Sequence, residues 1–282
     1  MAEIVSVIAL AHAPGATGWL DKAPQHEQEG IIDGYGEMRR RLAATRPDLI
    51  VGIANDHLLN FHPNNVPDWC VGIADRWQGP AEWFRDWVNV APYEVAGNSG
   101  LGRTIVRESG RRGFNLAYSD ALLFDDNWSV PLHFLTPRHE IPLVPIHMNC
   151  VLPPMPPAER CYAFGAALAE IVRGWPERKR VAIMATGGLS HDPGGPKYFG
   201  VDEAFDRWFL GLLGEGDPQK VLREATAEKM IAAGDGGTIE LLAWYVAMGA
   251  VGTRKADTAF YVPSVALRCG MGGVTWNMGE PA

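Results

Sequence analysis

Short apolar runs recur along this chain, and the stretches between them carry apolar residues at helical spacing. Ile4–Leu10, Leu49–Ala54, Pro142–Met148 and Arg180–Thr186 are brief and bounded by turn residues, so they read as buried strands. Glu27 to Ala44 carries Ile31, Ile32, Tyr35, Met38 and Leu42 at helical spacing. Its acidic residues come early and Arg39 to Arg41 come late, which suits the helix dipole. Asn98–Arg111, Glu159–Val172, Asp202–Leu213, Pro218–Ala233 and Thr238–Met248 read as further helices. Trp69–Ala74, Phe114–Tyr118 and Ala259–Val262 read as further strands. This alternation predicts an α/β fold with a mostly parallel central sheet between helical layers. No repeat or linker divides it, so residues 1–282 are expected to form one domain.

Charge narrows the partners. The formal net charge is −8, and the basic runs are short, which argues against nucleic acid. Cys70, Cys150, Cys161 and Cys269 are far apart and form no CxxC pair, so buried free thiols in a cytoplasmic protein are expected. The first residues carry an acid and no basic segment, unlike a signal peptide. No apolar run reaches the ~18 residues of a membrane span.

Loops at the carboxyl ends of parallel strands gather on one rim of a sheet. His12, His57 and His191 each lie just past a predicted strand, and Asp125 and Asp126 lie a few residues beyond another. Glu240 opens a late helix, where a carboxylate suits the dipole. Two imidazoles and one carboxylate can hold one face of an octahedral ion and leave the other open, as in a non-haem Fe(II) oxygenase. His12, His57 and Glu240 are that set here. The same set also suits zinc and a hydrolase. Each piece has a plainer reading. A lone histidine after a strand is most simply a hydrogen-bonded loop residue, and Glu240 a helix-terminal carboxylate. His147, in a strand aimed at the same rim, is a candidate for supporting contacts. Trp77, Trp83, Phe84 and Trp87 fall in a stretch that reads as a lid or packing helix, with core or subunit contact the simplest role for its tryptophans. Arg268 and Lys197 are candidates to meet a substrate carboxylate, each more simply a surface charge.

Taken in order, Ala11-His12-Ala13-Pro14, Asn55-Asp56-His57, Asp125-Asp126 with Pro131-Leu132, Gly187-Gly188-Leu189-Ser190-His191 and Glu240 resemble the class III extradiol ring-cleavage dioxygenases. The resemblance covers nearly the whole chain, and the Gly-Gly-Leu-Ser-His segment is its most specific part. It implies Fe(II) on His12, His57 and Glu240, with His191 as the acid/base residue. It also implies a small aromatic substrate that chelates through adjacent hydroxyls, or through a hydroxyl and an amino group, and is opened by O2. A histidine of ordinary pKa, about 6.5, suits proton transfer near neutral pH. One position departs from the pattern. Relatives carry Asp-His-Gly before the Pro-Leu pair, and this chain has Asp125-Asp126-Asn127. An ionised carboxylate accepts hydrogen bonds and donates none. Asp126 is therefore expected to bind a different substrate group, such as a ring N–H, an amine or an extra hydroxyl. The many tryptophans point to a homo-oligomer, and some relatives add a separate small subunit.

Overall fold

The computed structural model describes residues 1–279. Ten strands are present among them: β1 (Glu3–Leu10), β2 (Leu49–Asn55), β3 (Trp69–Gly72), β4 (Arg76–Gly79), β5 (Tyr93–Ala96), β6 (Ala117–Ser119), β7 (Leu143–Met148), β8 (Arg180–Thr186), β9 (Ala256–Ser264) and β10 (Cys269–Trp276). Eight of them form one sheet in the order β6-β3-β7-β2-β8-β1-β10-β9, and β4 pairs with β5 alone. The middle of the sheet, β7-β2-β8-β1, is parallel throughout. β3 and β6 run parallel to each other but antiparallel to β7. The hairpin β9–β10 closes the other side antiparallel to β1. The expected α/β fold with a mostly parallel sheet is therefore present, with antiparallel additions at both edges.

Burial explains the centre. All seven residues of β2 are buried, as a strand covered on both faces requires. Alternate residues feed two apolar layers. Val7, Ala9, Val51 and Ile53 face helices Ser99–Gly110, Ala158–Gly174 and Leu242–Val251. Ile8, Leu10, Ile50 and Ala54 face helices Gln25–Ala44 and Asp126–Leu135. Each fully buried aliphatic side chain contributes roughly 1.5–3 kcal/mol. Every residue of Leu242–Val251 is buried, so this helix is an interior layer without a polar face.

Several sequence expectations shift. The strand expected at Ala259–Val262 spans Ala256–Ser264 and gains a partner, β10, whose Gly270, Gly272 and Gly273 give little strand signal. The stretch expected as a lid or packing helix is β4, a 3₁₀ turn at Glu82–Phe84 and one helical turn at Arg85–Val88. Pro218–Ala233 is two helices, broken after Glu224. Glu240 lies in a 3₁₀ turn, Thr238–Leu241, that leads into the α-helix rather than in the helix itself. All four cysteines are buried free thiols. No described helix is long and apolar enough to cross a membrane.

Candidate metal centre

Strand order sets this site. β8 lies between β1 and β2, and all three run the same way, so their carboxyl ends are adjacent. His12 follows β1, His57 follows β2 and His191 follows β8. Glu240 reaches all three. Its Oε2 is 3.3 Å from His12 Nε2 and 3.6 Å from His191 Nε2, and its Oε1 is 3.1 Å from His57 Nε2. The carboxylate is further held by the Asn55 side-chain amide on Oε1 and the Gly188 backbone N–H on Oε2.

The far side of each imidazole fixes its tautomer. The Thr186 hydroxyl donates its one proton to the Asn127 carbonyl, so it must accept from His12 Nδ1, 3.0 Å away. His57 Nδ1 lies 3.1 Å from Asp125 Oδ2, which can only accept when ionised. Both rings thus turn a proton outward and leave Nε2 facing Glu240. Metal-binding histidines show this outer pattern, because a bonded Nδ1–H orients the ring and makes Nε2 a better donor to an ion.

His191 is held differently. Its Nδ1 donates to the Leu189 carbonyl at 2.7 Å, so the neutral ring carries its lone pair on Nε2; burial disfavours the charged ring, but Glu240 raises its pKa above the ordinary value. Two glycines make room for the ring. A Cβ at Gly237 would stand 2.2 Å from His191 Nε2, and one at Gly188 would stand 2.5 Å from Cε1. Its backbone N–H donates to Thr238 Oγ1, and that hydroxyl donates back to the His191 carbonyl. One position earlier, Ser190 donates through its backbone and its hydroxyl to buried Asp206, which Tyr261 also reaches.

Asp126 enters the same space. His12, His57 and Asp126 offer ligand atoms within 4.8 Å of one another, so a second carboxylate faces the two imidazoles. Asp126 Oδ1 is 3.4 Å from His57 Nδ1 but not aligned for a hydrogen bond, and it has no partner among the described residues. Burial pushes this carboxyl up to about 6; His57 opposes the shift and Asp125 adds to it. For His57 itself, burial works against the charged ring, but Asp125 and Asp126 raise its pKa well above the ordinary value. Burial also opposes ionisation of Glu240, yet His191 and His12 hold it well below the carboxylate range. Two imidazoles whose Nε2 atoms converge on an ionised carboxylate, with a second carboxylate beside them, are a donor set that a divalent cation satisfies, its binding displacing the His57 Nε2 proton.

Other candidates separate cleanly. His147 is fully buried, takes the Trp128 indole N–H on Nε2 at 2.8 Å and meets Asp56 Oδ1 at 3.0 Å. Asp56 in turn caps the backbone N–H groups of Asn60 and Phe61, so His147 braces the loop that carries His57. Lys197 Nζ donates to the Ala232 carbonyl and lies on a different depression. Arg268 lines the cavity of about 370 Å³ that also holds His12, His57, Asp126, His191 and Glu240. Trp77 is core, but Phe84 and Trp87 line this cavity, which the sequence reading did not assign. Trp83 is exposed.

Comparison with known proteins places the chain. Residues 6–266 match the family described as the catalytic LigB subunit of aromatic ring-opening dioxygenase. A 2,3-dihydroxyphenylpropionate/2,3-dihydroxicinnamic acid 1,2-dioxygenase from Pseudomonas putida is 30% identical over 217 residues, which is 73% of this chain and 64% of the relative. A gallate dioxygenase from Pseudomonas putida is 30% identical over 176 residues, 61% of this chain and 51% of the relative. An Escherichia coli enzyme of the first type is 29% identical over 231 residues, 80% of this chain and 68% of the relative. The chain thus spans roughly half to two thirds of the length of these relatives. The crystal structure of an uncharacterized protein from Escherichia coli K12 superposes with a TM-score of 0.58 at 14% identity, covering 96% of this chain and 99% of the other, and so shares the fold.

Proposed function

This chain belongs to the aromatic ring-opening dioxygenase family, and from that premise we propose that it cleaves a small aromatic ring in an Fe(II)-dependent reaction with O2. His12, His57 and Glu240 would hold the ion, and His191 would be the acid/base residue. The observation that carries this reading is the convergence of His12 Nε2 and His57 Nε2 on Glu240, with both Nδ1 atoms turned outward. When bound, Fe(II) supplies neighbouring open positions at which a chelating substrate and dioxygen meet.

The rest of the chemistry falls to the chain. In its neutral form His191 would present the Nε2 lone pair, take the proton of a ring hydroxyl there and later return it. The Leu189 carbonyl keeps that ring from turning over, because Nδ1 is already engaged. Asp126 lines the same cavity and would accept an N–H or O–H of the substrate through its carboxylate. Val151, Trp87 and Phe84 give the ring apolar walls. The balance is simple. One ring C–C bond beside the chelating carbons breaks, both atoms of O2 enter the product, and no outside reductant is needed.

The test is oxygen uptake by Fe(II)-loaded protein mixed with catechols, aminophenols and dihydroxypyridines. A yellow ring-opened product formed with one O2 per substrate supports the reading. Iron-loaded protein that consumes no oxygen with any of the three classes overturns it.

A further inference from the structure

We propose that Arg268, with Tyr198, forms a carboxylate-binding subsite, so that the substrate is an aromatic ring carrying an acidic substituent. This rests on the ring-cleavage reading for the identity of the ring, but not for the anion.

Arg268 lies in the turn between β9 and β10, with a left-handed backbone φ of 62°. That conformation is uncommon outside glycine. Aromatic rings surround its side chain. The guanidinium carbon lies 4.3 Å from the Tyr198 ring centre, 5.1 Å from Phe199 and 5.9 Å from Trp19. One guanidinium nitrogen donates to the Tyr198 hydroxyl. Among the described residues no other acceptor and no carboxylate meets this side chain. The protein therefore holds a half-buried cation in place and leaves most of its donor fork unused.

Arg268, Trp19 and Tyr198 line the cavity that also contains His12, His191 and Glu240. At about 370 Å³ it suits one aromatic ring with a short substituent. A planar guanidinium fork matches a carboxylate through two parallel hydrogen bonds, and neighbouring aromatic rings lower the water content around such a pair. Asp126 and Glu240 repel an anion near the metal residues. An acidic substituent is therefore directed to Arg268, which orients the ring with its chelating oxygens toward His12 and His57. Lys197, the other cation considered, is turned away to the Ala232 carbonyl.

The experiment compares 4-hydroxybenzoate with 4-hydroxybenzamide by calorimetric titration into the iron-loaded protein under argon. The acid should bind about tenfold more tightly than the amide, the worth of one charge-assisted contact. Arg268→Met should erase that preference, and Arg268→Lys should keep part of it. In turnover, the ratio of kcat/KM for a carboxylated catechol to that for catechol should fall about tenfold in Arg268→Met, through KM. Equal binding of acid and amide by the native chain, or an unchanged preference in Arg268→Met protein that still binds iron, overturns the proposal. Retained acid preference in a protein that opens no ring would reject ring cleavage and leave the anion subsite standing.

Discussion

Pro131 orients His12 without touching it. Pro131 sits inside the helix Asp126–Leu135 and has no N–H to give the carbonyl four residues back, that of Asn127. The Thr186 hydroxyl takes that carbonyl at 3.0 Å and accepts from His12 Nδ1 with its lone pair at 3.0 Å. A gap in one helix thus fixes the proton of a histidine that follows β1.

Thr186→Val keeps the shape and removes the hydroxyl. Metal affinity should fall roughly 10–100-fold, the usual cost of losing an outer partner of a ligating histidine. Thr186→Ser should bind nearly as well as the native chain. Anaerobic Fe(II) titration measures both, and equal affinities in Val and native protein would remove Thr186 from the account.

Gly237→Ala should displace the His191 ring, because the new methyl would stand 2.2 Å from Nε2. The backbone φ there is −150°, outside the left-handed region, and the clash with the ring is the main effect expected. We expect kcat to drop about 10²–10⁴-fold, as for loss of an acid/base group. Iron binding should persist. Gly110→Ala, with open space around its Cβ, is the control. A Gly237→Ala enzyme with native kcat would show that His191 does not carry the proton.

Asp206 links stability to pH. Burial raises its carboxyl to about 6 from 3.8, although Ser190 and Tyr261 donate to it. Between those values the folded chain keeps a proton that the unfolded chain has lost. Its contribution is therefore complete below about pH 4 and declines as pH rises through about 6. The decline should be on the order of 2 kcal/mol. Asp206→Asn should flatten it, seen as the difference between urea unfolding curves of the two proteins at pH 4.5 and 7. Parallel changes in both proteins would place the pH dependence elsewhere.

Asp126→His tests substrate choice. It replaces an acceptor with a ring that can donate, so the ratio of kcat/KM between catechols and aminophenols should shift about tenfold. Asp126→Asn should retain iron while Glu240→Gln loses it. The reverse outcome would make Asp126 the ligand in place of Glu240.

Much of this was legible in the sequence because it is local. Strands ending at His12, His57 and His191 announce themselves by apolar runs followed by polar turns, and parallel strands bring such turns to one rim. What was not legible depends on pairs distant in the chain. Gly188 and Gly237 look like ordinary turn residues until the His191 ring lies between them. Thr186 is one more strand residue until Pro131 frees a carbonyl for it. Phe84 and Trp87 look like core residues because their spacing says nothing about which cavity they face. β10 gives little signal because its glycines have low strand propensity, and only pairing with β1 and β9 makes it a strand.

Ring opening in this cavity would place both atoms of dioxygen in the product. Turnover of a chelating aromatic by Fe(II)-loaded protein under ¹⁸O2, read by mass spectrometry, tests it most directly. The expected product is ring-opened and carries two labelled oxygens, and Glu240→Gln protein forms none of it. A product that carries oxygen only from water would contradict it.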